Sequence, residues 1–573
     1  MPTRWRRAAL LLVGAVLVCE GVRVALWKPF AVEGLPPPDA WTRASGVVHV
    51  HTTVSDGGGT PEQVIAAAQA AGLDFLALTD HNTFQAAPTE GWHGRTLVLA
   101  GTESSTVSGH LVALGLRDPG YVFSRDPVDT LDDVQALGGV AFAAHPTSPR
   151  ADLRWEAWDA PGGWGMEVLN GDSQFRRASW PRRALSALRY PLNAPYALLA
   201  HMSREDASLQ RWDGLLARRP VAGIAGADAH GQIELTRTRA VKVPSYAASF
   251  GVARTHVLLE RPWTRRVEAD GPALVASLAA GRSYVALDGL ADARAFFFQA
   301  QGPGGSWTMG QTAPASPLPH LRAGGRVPKG TRLVLLRDGQ PLAEAASPLS
   351  MDAPGPGIYR VEAYVRGWAA PWIVTNPIAV LDEAAATARA RQATWPVPGP
   401  APSPAARLEA FDADTQFFEA GRDERSAVEQ PLWDPRGGTA GGAARFAFRL
   451  GVPGPGYPHT FCALVNRAAR DLGGRQGLVF SVKADGVYRF WVQVRDANPA
   501  SPDEGTEWWF SSVRTSTAWQ RVAVPFARLR SIQKNSDGKL DPDKVKALVF
   551  IVDKGAMPPG SKGTIWLDDL GVY

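Results

Sequence analysis

The chain has 573 residues, with 60 Lys and Arg against 55 Asp and Glu for a net charge of +5. That excess is too thin for a nucleic-acid-binding protein, and a hydrophobic content of 45% excludes a wholly disordered one. Two cysteines, Cys19 and Cys462, exclude a disulfide framework and a cysteine-based zinc site, and the length calls for three or four domains of roughly 100–200 residues.

In chain order, Arg4, Arg6 and Arg7 precede the apolar run Ala8–Cys19, which Glu20 and Arg23 interrupt before VALW continues to Trp27. Residues 1–30 read as an uncleaved signal-anchor, with a cleaved signal peptide as the near alternative and a buried core helix as the third. The early arginines place the N-terminus in the cytoplasm. The expected location is therefore the cell envelope: exported and inner-membrane-anchored, with the bulk periplasmic or extracellular and a membrane contact through this segment.

Pro36, Pro37 and Pro38 form a spacer. Residues 40–292 then alternate apolar runs with helical patterns. GVVHV, FLALT, LVLAG, HLVALGL, VAFAA, MEVLN and VAGIAG read as buried strands. Between the first two, Thr60 is the N-cap, Pro61 the first helical residue and Gln63 the partner in a capping box, with Gly72 as the stop. This alternation predicts an α/β fold with a parallel sheet or barrel. From residue 293 the texture changes to strands and turns, and 293–383 reads as a β-sandwich. Residues 384–406 are a Pro/Ala-rich linker, and 407–573 carries strand candidates at jelly-roll spacing.

Six of the eleven histidines stand in short motifs at the ends of the barrel runs. The motifs are HVHTTVSDG (His49, His51, Asp56), LTDHN (Asp80, His81), GTES (Glu103), SGH (His110), AHP (His145) and GADAHG (Asp228, His230). Each alone has a packing or turn reading. Together they would bring imidazoles and carboxylates to one barrel rim, which is what borderline divalent metals require. Without an ion, that clustering would cost several kcal/mol in desolvation and repulsion (~).

These motifs, with GLDFLALTDHN, GHLVALGL and GMEVLNG, resemble the PHP (polymerase and histidinol phosphatase) domain, and within it the carbaryl-hydrolase-like, CehA/McbA-type metallohydrolases. The resemblance implies a distorted (β/α)7 barrel with two or three divalent ions (Zn, Mn or Fe). Carried over motif by motif, His49, His51, Glu103 and Asp228 would hold one ion. Glu103, His110 and His145 would hold a second, and Asp56, His81 and His230 a third. A water bridging the ions, lowered in pKa, would attack a phosphorus or carbonyl centre.

Around this set, Asp80 is expected to support the ligands or to cap a turn. Glu167 and Asn170 lie at a strand end and could face substrate or bond the rim loops. His201 is a possible proton donor, with a solvent-facing helix position as the alternative. Arg176, with Arg150, Arg154 and Arg177, could hold phosphate oxygens, while Trp155, Trp158 and Trp164 suit an aromatic substrate or cover the barrel mouth. The function expected is a phosphoesterase acting on a small-molecule or glycan-linked substrate. An ester, amide or carbamate hydrolase and a non-catalytic glycan-binding envelope protein are the alternatives.

FWVQVRD, EWWFSS, TAWQRVAVPF and WLDDLGVY in the last domain resemble the galactose-binding-like jelly rolls of carbohydrate-binding modules. The resemblance makes polysaccharide a further partner. Trp491, Trp508 and Trp509 would stack on sugar or pack between sheets, and Asp568 and Asp569 would bind calcium or turn the chain.

Overall fold

The structure is a computed structural model, and it describes residues 3–117, 121–236, 239–395, 399–454, 459–531, 533 and 535–573. The chain forms two compact units: Met1–Pro119 with Asp126–Pro396, and Gly120–Arg125 with Val397–Tyr573.

The first unit is built on a closed ring of strands. β1 (Thr42–Val50) is buried along most of its length, as its Val47, Val48 and Val50 require. It runs parallel to β2 (Phe75–Leu78), and β2 runs parallel to β3 (Thr96–Ala100). The crossover from β1 to β2 contains the helix Pro61–Ala70, whose capping box forms as its sequence dictates. Thr60 Oγ1 accepts from the Gln63 amide, and Gln63 Oε1 accepts from the Thr60 amide.

At Gly101 the chain bends into β4 (Thr102–Thr106), and a Cβ there would fall 2.3 Å from the carbonyl oxygen of Ala113. β5 (Gly109–Leu114), β6 (Val140–Ala143), β7 (Gly165–Asn170) and β8 (Gly223–Ala229) follow. β8 closes the ring against β1, with Gly226 opposite Val48 and Ala229 opposite Val50.

The ring is not all-parallel, as the alternation of strands and helices suggests. β5 is antiparallel to both neighbours. Only Val107 and Ser108 separate the paired Thr106 and Gly109, and so short a link permits nothing but a hairpin. The reversal has a consequence for the rim: the start of β5 lies beside the end of β6, with Leu111 opposite Ala143.

β9 (Arg254–Leu259) pairs with the first half of β1, and Ser283–Ala286, Ile373–Thr375, Gly357–Tyr364, Arg332–Arg337 and Gln340–Ala346 extend that sheet. Four more strands, Phe296–Gly302, Gly305–Thr308, His320–Gly325 and Leu349–Asp352, form a separate sheet. Barrel and sandwich thus share strands across residue 292. Buried Asn376 clamps them: its Oδ1 accepts from the Gly223 amide at 2.7 Å, and its Nδ2 donates to the carbonyls of Gly223 and Ser283. Arg360, 1% exposed, forks onto Asp213 of the helix Asp206–Leu216 with two contacts of 2.8 Å.

Among the described residues, the N-terminal helix Thr3–Ala25 is tied to the body near its end. There Arg23 donates to Glu20 and to the Tyr196 hydroxyl, and Asn193 donates to the carbonyls of Val24 and Trp27. Among the described residues no helix is long and apolar enough to cross a membrane.

The second unit is mainly two antiparallel sheets. Phe446, Phe448, Phe480, Phe490 and Phe550 fill the space between them, and Trp509 joins that core. Trp509 therefore packs between sheets rather than offering a stacking face. Half-buried Trp508 lies under the Arg495 guanidinium at 4.1 Å, and Trp491 donates to Asp553. Asp568 accepts from the amide and hydroxyl of Thr439, and Asp569 pairs with Arg407.

Candidate metal centre

All nine ligand-type residues meet at one rim of the ring. His49 and His51 stand at the end of β1, Asp56 in the loop beyond, and His81 just past β2. Glu103 lies in β4, His110 at the start of the reversed strand β5, His145 past β6, Asp228 in β8 and His230 directly after it.

Glu103, 1% exposed, is the hub. Its Oε1 lies 2.8 Å from His110 Nδ1 and 2.8 Å from His145 Nε2. Its Oε2 lies 3.2 Å from His49 Nε2, 3.3 Å from His51 Nε2 and 3.0 Å from His81 Nδ1. Asp228 Oδ1 stands 3.5 Å from both His49 Nε2 and His51 Nε2. Asp56 faces His51, His81 and His230 at 3.6, 3.6 and 3.4 Å. Four sets have donor atoms close enough for one ion: His51, Asp56, His81 and His230; His49, His51 and Glu103; His49, His145 and Asp228; His81, Glu103 and His110. The sets overlap, so His51 and His81 are shared more widely than a motif-by-motif partition assigns them.

His49, His145 and Asp228 have positive φ of 68°, 32° and 50°. Such backbone is rare outside Gly and costs on the order of 1–3 kcal/mol per residue, so it persists where the surroundings over-determine it. Those surroundings include Glu167, fully buried, whose Oε1 lies 2.6 Å from His49 Nδ1 and whose Oε2 accepts from the His145 amide at 2.6 Å. Asn170 donates to Glu167 and to Asp228. A Cβ on Gly226 would fall 1.9 Å from Glu167 Oε1, so this carboxylate fits only beneath a glycine.

Glu167 and Asn170 are thus turned toward the ligands, the hydrogen-bonding reading of the two their strand-end position allows rather than the substrate-facing one. Asp80 accepts from the Thr52 amide and hydroxyl and from the Ser55 hydroxyl, fixing the loop that carries Asp56. Its carboxylate hydrogen-bonds to none of the nine, while its backbone carbonyl accepts from the Glu103 amide at 3.2 Å. Tyr246, which no local motif marks, sets its hydroxyl 2.8 Å from the carbonyls of both His51 and His230.

The electrostatics are those of a cage that needs a cation. Burial works against charge on His145 and His230, yet Glu103 and Asp56 respectively outweigh it, and both histidines rise to about 9. His49 is likewise raised, Glu167 and Glu103 overcoming its burial, and Glu103 is lowered well below the usual carboxylate range by His49, His110 and His145 despite its own burial. His49 Nε2, His51 Nδ1 and Nε2, His81 Nδ1 and Glu103 Oε2 are buried without a well-formed hydrogen bond. Each such atom costs about 1–3 kcal/mol unless something else satisfies it. Neutral imidazole nitrogens and carboxylate oxygens aimed into one space fit borderline divalent ions, which would satisfy them and displace the protons.

The other expected residues fall elsewhere. His201 is 3% exposed, packs its ring on Phe175 at 5.4 Å, and is lowered to about 4 by burial and by Arg183 and Arg182. It is therefore neither solvent-facing nor protonated near neutral pH, and no hydrogen bond or ring contact joins it to the nine. Arg176 pairs with Asp172 on the helix Gly171–Arg177, whose N-cap Asn170 donates to Asp228, and despite partial burial the charges of Asp172 and Asp228 raise it. Arg177 is engaged by Glu205 and the Thr147 carbonyl. Trp155 and Trp164, 1% and 2% exposed, pack on each other at 5.6 Å as part of the core.

A family model described as the PHP domain matches residues 48–102, the stretch that holds His49, His51, Asp56 and His81. An uncharacterised protein of Methanocaldococcus jannaschii is 28% identical over 117 residues, covering 18% of this chain and 67% of its own. Among solved structures, a two-domain protein from Bacteroides vulgatus containing a predicted PHP-like metal-dependent phosphoesterase aligns over 62% of this chain and 99% of its own, at 14% identity and a TM-score of 0.29. A family 11 carbohydrate-binding module from Clostridium thermocellum, in complex with a β-1,3-1,4-mixed-linked tetrasaccharide, aligns over 29% of this chain and 94% of its own, at 15% identity and a TM-score of 0.25.

Proposed function

We propose that the first unit is a metal-dependent phosphoesterase of the PHP type, in its carbaryl-hydrolase-like branch. The observation that carries this reading is the division of Glu103, with one oxygen toward His110 and His145 and the other toward His49, His51 and His81. A carboxylate so placed could serve two cations. His49, His51, Glu103 and Asp228 would hold one ion, Glu103, His110 and His145 a second, and Asp56, His81 and His230 a third. Bound divalent ions supply Lewis acidity and a nucleophilic water near neutral pH.

The chain's own part is orientation. Glu167 holds the Nδ1 side of His49, and the Leu153 carbonyl lies 3.2 Å from His145 Nδ1, so both rings present Nε2 to the centre. Arg176 at the rim offers a guanidinium for an anionic phosphate oxygen. Of the three tryptophans that suit an aromatic ester or carbamate, Trp155 and Trp164 are committed to the core, while Trp158 is half-buried with the Arg211 guanidinium 5.3 Å from its ring. The test is turnover by the full chain with Mn²⁺ or Zn²⁺ of aryl phosphates, aryl esters and aryl carbamates. Phosphate should be preferred, His49→Ala and Asp228→Ala should abolish it, and preferred turnover of esters would move the assignment to the alternative.

For the second unit we propose glycan binding, supported by its two-sheet architecture and by the half-buried Trp491 and Trp508. Retention of the full chain on insoluble polysaccharide, lost in Trp508→Ala, tests it. Export and membrane attachment through residues 1–30 are part of the same proposal. Arg4, Arg6 and Arg7 ahead of the apolar run support it, as do Leu11, Leu12, Val16, Leu17 and Val18, each 58% exposed or more.

A further inference from the structure

The helix Trp180–Arg189 is amphipathic the wrong way round for a soluble surface. At 3.6 residues per turn, Trp180, Ala184, Leu188 and Leu185 share an arc of about 140°. Trp180 and Leu188 are each 74% exposed and Leu185 is 43% exposed. The sole buried residue of the helix is Ser186, on the opposite side, whose hydroxyl donates to the Ala197 carbonyl at 2.5 Å. The helix thus rests on its polar side and presents its apolar side outward, the reverse of the usual arrangement. Leu192, just beyond, is another 50% exposed.

Two features say what covers this face. Arg182 and Arg183 flank the apolar arc and are exposed, and a Trp/Leu face bordered by arginines complements an anionic lipid surface. The helix also meets the end of the N-terminal helix: Arg189 pairs with Glu20, and Leu192 Cδ1 lies 4.0 Å from where a Cβ on Gly21 would stand. Glu20 directly follows the exposed apolar stretch that holds Leu11–Val18, so both apolar surfaces meet at one level of the molecule.

We infer that Trp180–Arg189 is a membrane-docking helix that lies in the interface of an anionic bilayer, beside the point where the N-terminal helix meets it. This surface is separate from the metal-ligand set, and the inference stands whether or not the centre hydrolyses phosphoesters. The helix does follow closely on Gly171–Arg177, whose N-cap is Asn170, so docking would hold the rim that carries Arg176 close to the lipid surface.

The test is hydrogen–deuterium exchange of the full chain, with and without vesicles of phosphatidylcholine alone or with about a third phosphatidylglycerol. Exchange over 179–190 should slow roughly ten-fold with the mixed vesicles, and much less with phosphatidylcholine alone. Trp180→Ser with Leu188→Ser should remove the effect while protection of residues 11–25 remains, and Arg182→Gln with Arg183→Gln should remove the preference for anionic lipid. Because these side chains are exposed, unchanged exchange elsewhere in both variants certifies the fold. Unaltered exchange over 179–190 beside protected residues 11–25 would overturn the inference. So would equal protection by both vesicle types, or protection that tracks self-association in light scattering without lipid, which would assign the face to a second copy of the chain.

Discussion

Nδ1 of His49 lies 2.6 Å from Oε1 of Glu167, across 118 residues of sequence. The second Glu167 oxygen takes the His145 amide, so a single buried carboxylate holds the imidazole of one ligand and the backbone of another. Glu167→Gln keeps the volume and removes the charge. Partners of this kind are typically worth roughly 10–100-fold in metal affinity. The expected result is a loss of that size in Zn²⁺ or Mn²⁺ affinity by calorimetry, with an unchanged circular dichroism spectrum. Unchanged affinity would show that His49 orients itself.

Glu103 should behave differently, because its two oxygens face different sets of imidazoles. Glu103→Gln should lower the bound metal by more than one ion per chain, measured by elemental analysis after dialysis. Activity should fall by roughly 100-fold or more, the scale expected when charge stabilisation in a preorganised site is lost. His110→Ala removes a ligand from the Oε1 side only, so it should cost no more than one ion. Equal losses in the two variants would deny Glu103 a bridging place.

These contrasts show where the sequence was informative. The strand ends, the capping box of Thr60 and Gln63 and the nine ligand-type residues are legible because each depends on residue type within a few positions. The reversal of β5 is nearly legible as well, since a two-residue link between Thr106 and Gly109 forces it. What lay out of reach depends on contacts between distant segments. Glu167 beneath His49, Gly226 beneath Glu167 and Tyr246 between two carbonyls carry no local pattern. His201 misled for the complementary reason, as nothing near it in sequence announces that its ring will be buried against Phe175.

Arg176 provides the test of substrate class at the level of a side chain. It is exposed at the edge of the centre and held by Asp172, and it makes no hydrogen bond to a ligand residue. Arg176→Ala should raise KM for an aryl phosphate roughly ten-fold, about the value of one hydrogen bond to a charged group, with little change in kcat. KM for a neutral aryl ester should stay the same. A fall in kcat with KM unmoved would place Arg176 at the reacting atoms instead.

Stability in acid should be governed in part by Glu362, which is not among the nine ligand-type residues. It is 2% exposed and lies among Arg204, Arg360 and the Tyr364 hydroxyl. Burial opposes its charge, but Arg204 and Arg360 outweigh that and hold the carboxyl at about 2, below its ordinary 4.5. A group depressed on folding contributes stability that is fully present above its unfolded value and is lost as pH falls through the folded one. The window is therefore pH 5 down to pH 2, and at 1.36 kcal/mol per unit the contribution is about 3 kcal/mol. Urea unfolding of the first unit should show the natural chain losing about that much more stability than Glu362→Gln over this window, while above pH 5 the gap between the two stays constant. The loss would be directed, because Arg204 and Arg360 join Glu362 to the loop and helix that carry Arg204 and Asp213, and protonation would weaken the Glu362 contacts of buried Arg360 and half-buried Arg204.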